Sequence, residues 1–136
     1  MHLTDTILDL RARRILWLDA GAGGVVGLAM LVLRDWLTGF YGLPLELIVL
    51  IGSANVVYAS FSGTLAVRAA MGRRPSRRAI DVLVAANLSW SVVCAAMLFA
   101  MLRDAGAFGL AHIGLEGAFV TGLAVVEWRV VRPFAR

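Results

Sequence analysis

The sequence has no lysine. All 13 basic residues are arginine, against nine acidic residues and two histidines. Cysteine is also nearly absent: Cys94 stands alone inside an apolar run. A single thiol excludes an internal disulfide, a C-x-x-C redox pair and a thiolate metal cluster, and a lone buried cysteine behaves as a small hydrophobe. With one histidine at position 2 and the other at 112, a bis-histidine haem site within one chain has no ligands, and His112 alone does not make a metal centre. No P-loop, dinucleotide glycine pattern or G-x-S-x-G elbow is present, because the glycines of "GAGG" follow no strand. No cofactor is therefore expected. Charge is scarce as well. Charged residues make up 16% of the chain and hydrophobic ones 60%, with a mean hydropathy of +0.83, whereas a soluble domain carries about 25% charged residues.

The charges cut the chain into four apolar segments. These are Ile15–Leu33, interrupted by Asp19, then Leu47–Val67, Val82–Leu102 and Ala105–Val126. About 20 helical residues cross a hydrocarbon core of ~30 Å, and none of the segments alternates as a spanning strand would. One membrane domain over residues 1–136 is predicted, an all-α bundle of four helices at roughly 15–33, 44–67, 79–102 and 109–127. The first segment, with Arg11, Arg13 and Arg14 before it, loosely resembles a signal peptide. Its early Asp19 and the apolar sequence beyond "DAGAGG" favour a retained helix.

Arginine sets the expected orientation. Arg11, Arg13 and Arg14, then Arg68, Arg73, Arg74, Arg77 and Arg78, then Arg129, Arg132 and Arg136 fall on one side; the other side holds Arg34 and Arg103. Short arginine-rich loops stay cytoplasmic, so both termini are expected inside. Arginine without lysine, with abundant alanine, points to a GC-rich bacterial genome and hence to the inner membrane. Trp17 and Trp128 near one interface and Trp36 near the other fit an aromatic belt. Orientation accounts for the arginines, so no nucleic-acid partner is expected. Membrane lipid, a second copy of the chain or another membrane protein are the expected partners.

The two halves resemble each other. "VVGLAML" followed by "LRDWLTGFYGL" in the first half matches "VVCAAML" followed by "LRDAGAFGL" in the second. Two tandem helical hairpins of parallel orientation would follow.

Titratable residues deep in a bilayer cost about 2.5–3.5 kcal/mol on insertion scales and tend to face protein or water. "HIGLEGAF" puts His112 and Glu116 one helical turn apart, with Glu116 near the predicted midplane and Glu127 on the same stripe. Glu116 is expected to be either neutral or ion-paired with His112. Asn55 and Tyr58 share a face of the second helix with Ser62; Asn87 shares a face of the third with Ser91 and Cys94, and Trp90 lies nearby. The predicted polar pocket comprises Glu116, His112, Asn55, Asn87, Tyr58 and Trp90. Amides and hydroxyls also link membrane helices at about 0.6–2 kcal/mol each. Gly23 and Gly27, and Gly114, Ala118 and Gly122, are expected to mark close helix contacts. Asp19 is expected at the inner interface beside Arg13 or Arg14, Asp81 beside Arg77 and Arg78, and Glu127 at a helix end with Arg129.

Three functions are compatible with these residues. The favoured one is an intramembrane pocket that binds or transports a small amphipathic or lipid-like molecule, with Glu116 available for proton linkage. The second is a structural or assembly subunit whose polar groups join helices. The third, an enzyme using Glu116 and His112 as acid and base, has no nucleophile or cofactor motif beside it and is the weakest; no catalytic residue is assigned.

Overall fold

The computed structural model describes residues 2–136, with side chains from residue 9 onward. Met1 and the side chain of His2 lie outside the described residues. The chain forms α1 (His2–Val32), α2 (Arg34–Tyr41), α3 (Leu45–Ala70), α4 (Arg77–Met101) and α5 (Ala107–Val126). A π-helical turn (Glu127–Val131) and the short α6 (Arg132–Phe134) continue α5. Four helical stretches are long and apolar enough to cross a membrane: Asp9–Val32, Leu45–Ala70, Arg77–Met101 and Ala107–Phe134. The chain is a membrane helical bundle.

The helices end where local chemistry requires it. Ser76 caps α4, its hydroxyl accepting from the Ala79 N–H at 3.2 Å. Gly42, at φ 62°, takes the left-handed position after α2, which an L side chain adopts only under strain. Pro133 lacks an N–H and interrupts the regular ladder; the wider π turn lies just before it, with the Arg132 N–H bonded to the Glu127 carbonyl.

α1 packs along α3, and α4 along α5. The two pairs meet chiefly at their ends. At the arginine-rich end, the π turn and α6 reach α1 and α4, and the last residue is tied to the α3–α4 connection: Arg136 N–H donates to Pro75 and Arg77 N–H donates to Arg136, at 3.0 and 2.7 Å. At the other end, α2 touches α1, α3 and α5. Its Tyr41 carbonyl accepts the Gly106 N–H at 2.8 Å, and a Cβ on Gly109 would come within 2.5 Å of the same carbonyl.

The apolar core follows this division. One cluster, with Leu16, Leu65, Leu83 and Val131, fills the arginine-rich end. Another, with Met30, Ile48, Met97 and Ile113, fills the opposite end. The polar residues and two cavities lie between them.

Close approach within each pair rests on single small residues. A Cβ on Gly27 would come within 2.8 Å of the Gly52 carbonyl, and one on Gly117 within 3.0 Å of the Cys94 Cβ. Gly23 faces Ala59 and Asn55 at 3.4 Å. The stripe expected on α5 is displaced: Gly114 and Gly122 face open space and Ala118 is exposed. Gly117, one position from Ala118, makes the contact. A single helical residue turns the face by about 100°, so spacing alone does not say which small residues point inward.

Candidate functional site

Glu116 sits in the middle of α5 with its side chain only 8% exposed. A carboxylate there needs donors, and two neighbouring helices supply them to one of its oxygens. Asn55 on α3 donates through Nδ2 to Glu116 Oε1 at 2.7 Å. Trp90 on α4 donates through Nε1 to the same oxygen at 2.6 Å. His112, one turn back on α5, brings Nε2 to 3.1 Å from Glu116 Oε2. That contact lies off the ring N–H axis, so it is an electrostatic contact rather than a formed hydrogen bond. Asn55 Nδ2 is held in turn by the Ile51 carbonyl at 3.0 Å, the i−4 position of its own helix.

The other face of the imidazole meets α2. Tyr41 Oη lies 3.3 Å from His112 Nδ1, with ring centroids 5.2 Å apart. With the phenol donating, Nε2 carries the imidazole proton, on the edge of the ring nearer Glu116. Burial, and then the Glu116 charge, push the Tyr41 phenol above its usual range, so it stays a neutral donor. An aromatic chain continues outward: Tyr41 lies 5.5 Å from Phe40, which stacks on Trp36 at 4.7 Å and on Phe108 at 4.8 Å.

Asn87 and Tyr58 do not join this group. Asn87, 1% exposed on α4, donates through Nδ2 to Glu127 Oε2 at 2.9 Å. Tyr58 lies beside Asp19 and Glu127. Asp19 is 2% exposed and Glu127 is fully buried; both are within hydrogen-bonding reach of each other, and Asp19 also neighbours Ser62. Glu127 does stand at the end of α5, as expected, with its side chain turned into the bundle. Two expectations are corrected. Asp19 does not pair with Arg13 or Arg14. Asp81 pairs with Arg132 at 2.6 Å rather than with Arg77 or Arg78. Arg132 in turn stacks on Trp128 at 4.1 Å.

The predicted pocket therefore separates into two polar clusters. One holds Glu116, His112, Asn55 and Trp90, with Tyr41 added. The other holds Asp19, Glu127, Asn87 and Tyr58. A cavity of about 330 Å³ between α1, α3 and α5 touches both, since Asp19 and Tyr58 line one part and Asn55, His112 and Glu116 another. Leu115 and Phe119, both exposed, form part of its rim. A second cavity of about 600 Å³ between α3 and α4 shares the Asn55–Tyr58 wall and is lined by Asn87 and Trp90 on its far side.

Tyr41 and the Asp19–Glu127 pair were the residues that sequence reasoning missed. Depth could have found the pair: Asp19 follows the double arginine Arg13-Arg14 closely and Glu127 precedes Arg129 closely, so both lie at the same level of the bundle. Tyr41 gave no such signal. Among the described residues, no group of three or more His, Cys, Asp or Glu could hold a metal ion. No protein-family model, curated protein or solved structure matches the chain.

Proposed function

We propose that the chain binds, and moves between leaflets or across the bilayer, a small amphipathic or lipid-like molecule whose polar end meets Glu116. One observation carries this reading: a mostly apolar cavity of about 330 Å³ bears two acidic side chains on its wall and has exposed apolar residues on its rim. Ligand sites are typically apolar clefts of about 300–1,000 Å³ with a few convergent polar groups. The partners are lipid and, where the rim needs a further wall, a second copy of the chain. Proton linkage would run through the titratable groups of the wall. The same residues in an inner bacterial membrane, with the arginine-rich end and both termini cytoplasmic, would satisfy the positive-inside rule. A tandem repeat is consistent with the matched segments, because Gly27 and Cys94 occupy equivalent positions and each makes the close contact within its own helix pair.

The test is equilibrium binding of a fluorescent long-chain amine and of the corresponding fatty acid to the reconstituted chain, with Glu116→Gln as the comparison. The reading requires that at least one probe binds and that its affinity falls at least tenfold in the variant. Equal affinities in both proteins would remove it.

A second reading has its own support. Glu116 Oε1 is already satisfied by Asn55 and Trp90, as expected of a group that joins helices. In that case the chain is an assembly subunit, Glu116→Gln lowers thermal stability or recovery of a membrane partner, and neither probe binds.

A further inference from the structure

We propose that Asp19 and Glu127 form a proton-binding site that holds one shared proton at neutral pH. This goes beyond the cavity's guest and does not depend on one.

The argument is geometric. Asp19 on α1 and Glu127 on the π turn lie within hydrogen-bonding reach, and both are at least nine-tenths buried. Ionised carboxylates only accept hydrogen bonds, so two in contact need a proton between them; like charges this close cannot both persist where solvent is excluded. Among the described residues, no arginine or histidine nitrogen lies within 4.0 Å of either carboxyl group. The titratable group facing the pair from α3 is Tyr58, and α4 contributes the uncharged Asn87. Arg13 lies six residues along α1, about 9 Å up the axis, and Arg129 is exposed.

A second observation points the same way. Asn87, 1% exposed, directs its amide into the pair, yet its Oδ1 has no partner among the described residues; neither do Asp19 Oδ2, Glu127 Oε1 and Tyr58 Oη. Tyr58 Oη carries a proton of its own and faces Asp19, so it can serve one of these oxygens; the other three are acceptors, more than one hydroxyl can satisfy. Buried polar groups of this kind are normally satisfied, and a proton carried by one carboxyl supplies a further donor. Release of the proton breaks the O–H bond of one carboxyl and passes the proton to water by way of the cavity that Asp19 lines; it leaves two adjoining carboxylates, whose repulsion is why the protonated pair is the form held at neutral pH.

Infrared spectroscopy of the reconstituted full chain at neutral pH tests this through the C=O stretch of protonated carboxyls. We expect a band equivalent to one protonated carboxyl per chain that survives Glu116→Gln and disappears in Asp19→Asn/Glu127→Gln. A band equivalent to none or to two would overturn the shared proton, and so would a band that persists in the double variant. Sodium is the competing occupant. If sodium chloride, but not choline chloride, bleaches the band at fixed pH in the parent chain, the site is a metal-ion site and the proposal fails. That arm needs no variant, so a misfolded double variant does not protect the idea. Loss of probe binding in Glu116→Gln would leave the band unchanged, which keeps the two proposals separable.

Discussion

Asn55 and Glu116 meet at 2.7 Å across the gap between the two helix pairs. Their backbones belong to helices that approach each other only slightly, so the side chains carry the link. Replacing Asn55 with alanine removes a donor to a buried carboxyl, a loss of about 1.5–3 kcal/mol when the acceptor is charged. Asn55→Ala should therefore lower the melting temperature of the purified chain, and a double-mutant cycle with Glu116→Gln should give a coupling energy well above experimental error. Additive effects would show that the pair is not energetically joined.

Trp90 offers an optical view of the same carboxyl. Its indole N–H donates to Glu116 at 2.6 Å, whereas Trp17, Trp36 and Trp128 are half or more exposed. In a chain keeping only Trp90, Glu116→Gln should shift the emission maximum, because the charge or dipole facing the indole changes. The same substitution should leave the emission of a chain keeping only Trp36 where it was.

The small residues permit a matched comparison. A Cβ on Gly27 would sit 2.8 Å from the Gly52 carbonyl, while one on Gly114 meets nothing within 4 Å. Overpacking costs typically 1–3 kcal/mol. Gly27→Ala should cost about that much in stability, and Gly114→Ala should cost nothing measurable in thermal melts under the same conditions. Equal losses would mean that the α1–α3 approach is looser than described.

Tyr41→Phe keeps the ring beside His112 and deletes the hydroxyl 3.3 Å from Nδ1. Nitrogen-15 NMR of His112 in bilayers should show a single Nε2-protonated tautomer in the parent chain at high pH and a mixture in the variant. A tautomer population unaffected by the deletion would show that Tyr41 does not orient the imidazole.

How much of this was legible in the sequence depends on the length over which a signal is averaged. Four apolar stretches bounded by arginine survive any single misjudged residue, so the spanning helices were readable. Glu116 with His112 was readable too, since an i, i+4 spacing fixes two side chains to one face. Asn55 and Trp90 reach Glu116 through the relative rotation of separate helices, which spacing alone does not set. Asn87 and Tyr58 show the consequence: they share a depth range with Asn55 and Trp90, yet turn toward Glu127 and Asp19. The small α2 was hidden because Arg34-Asp35 reads as a helix end, whereas its Trp36 and Phe40 lie exposed and Leu37 anchors it. The π turn has a local cause in Pro133, but its effect on Glu127 is seen only when α1 and α4 are in place.

The contact between Asp19 and Glu127 also has a meaning for biosynthesis. The ribosome delivers α1 and α3 well before the π turn emerges, so the first helix pair enters the membrane with an acidic side chain whose carboxyl partner has not yet been made. Asn55 likewise waits for Glu116. The nascent first half thus carries unfinished polar surface in lipid, and the last helix completes it. A chain stopped before residue 107 should be recognised by membrane quality control and degraded faster than the full-length protein, and supplying residues 77–136 as a separate polypeptide should slow that loss.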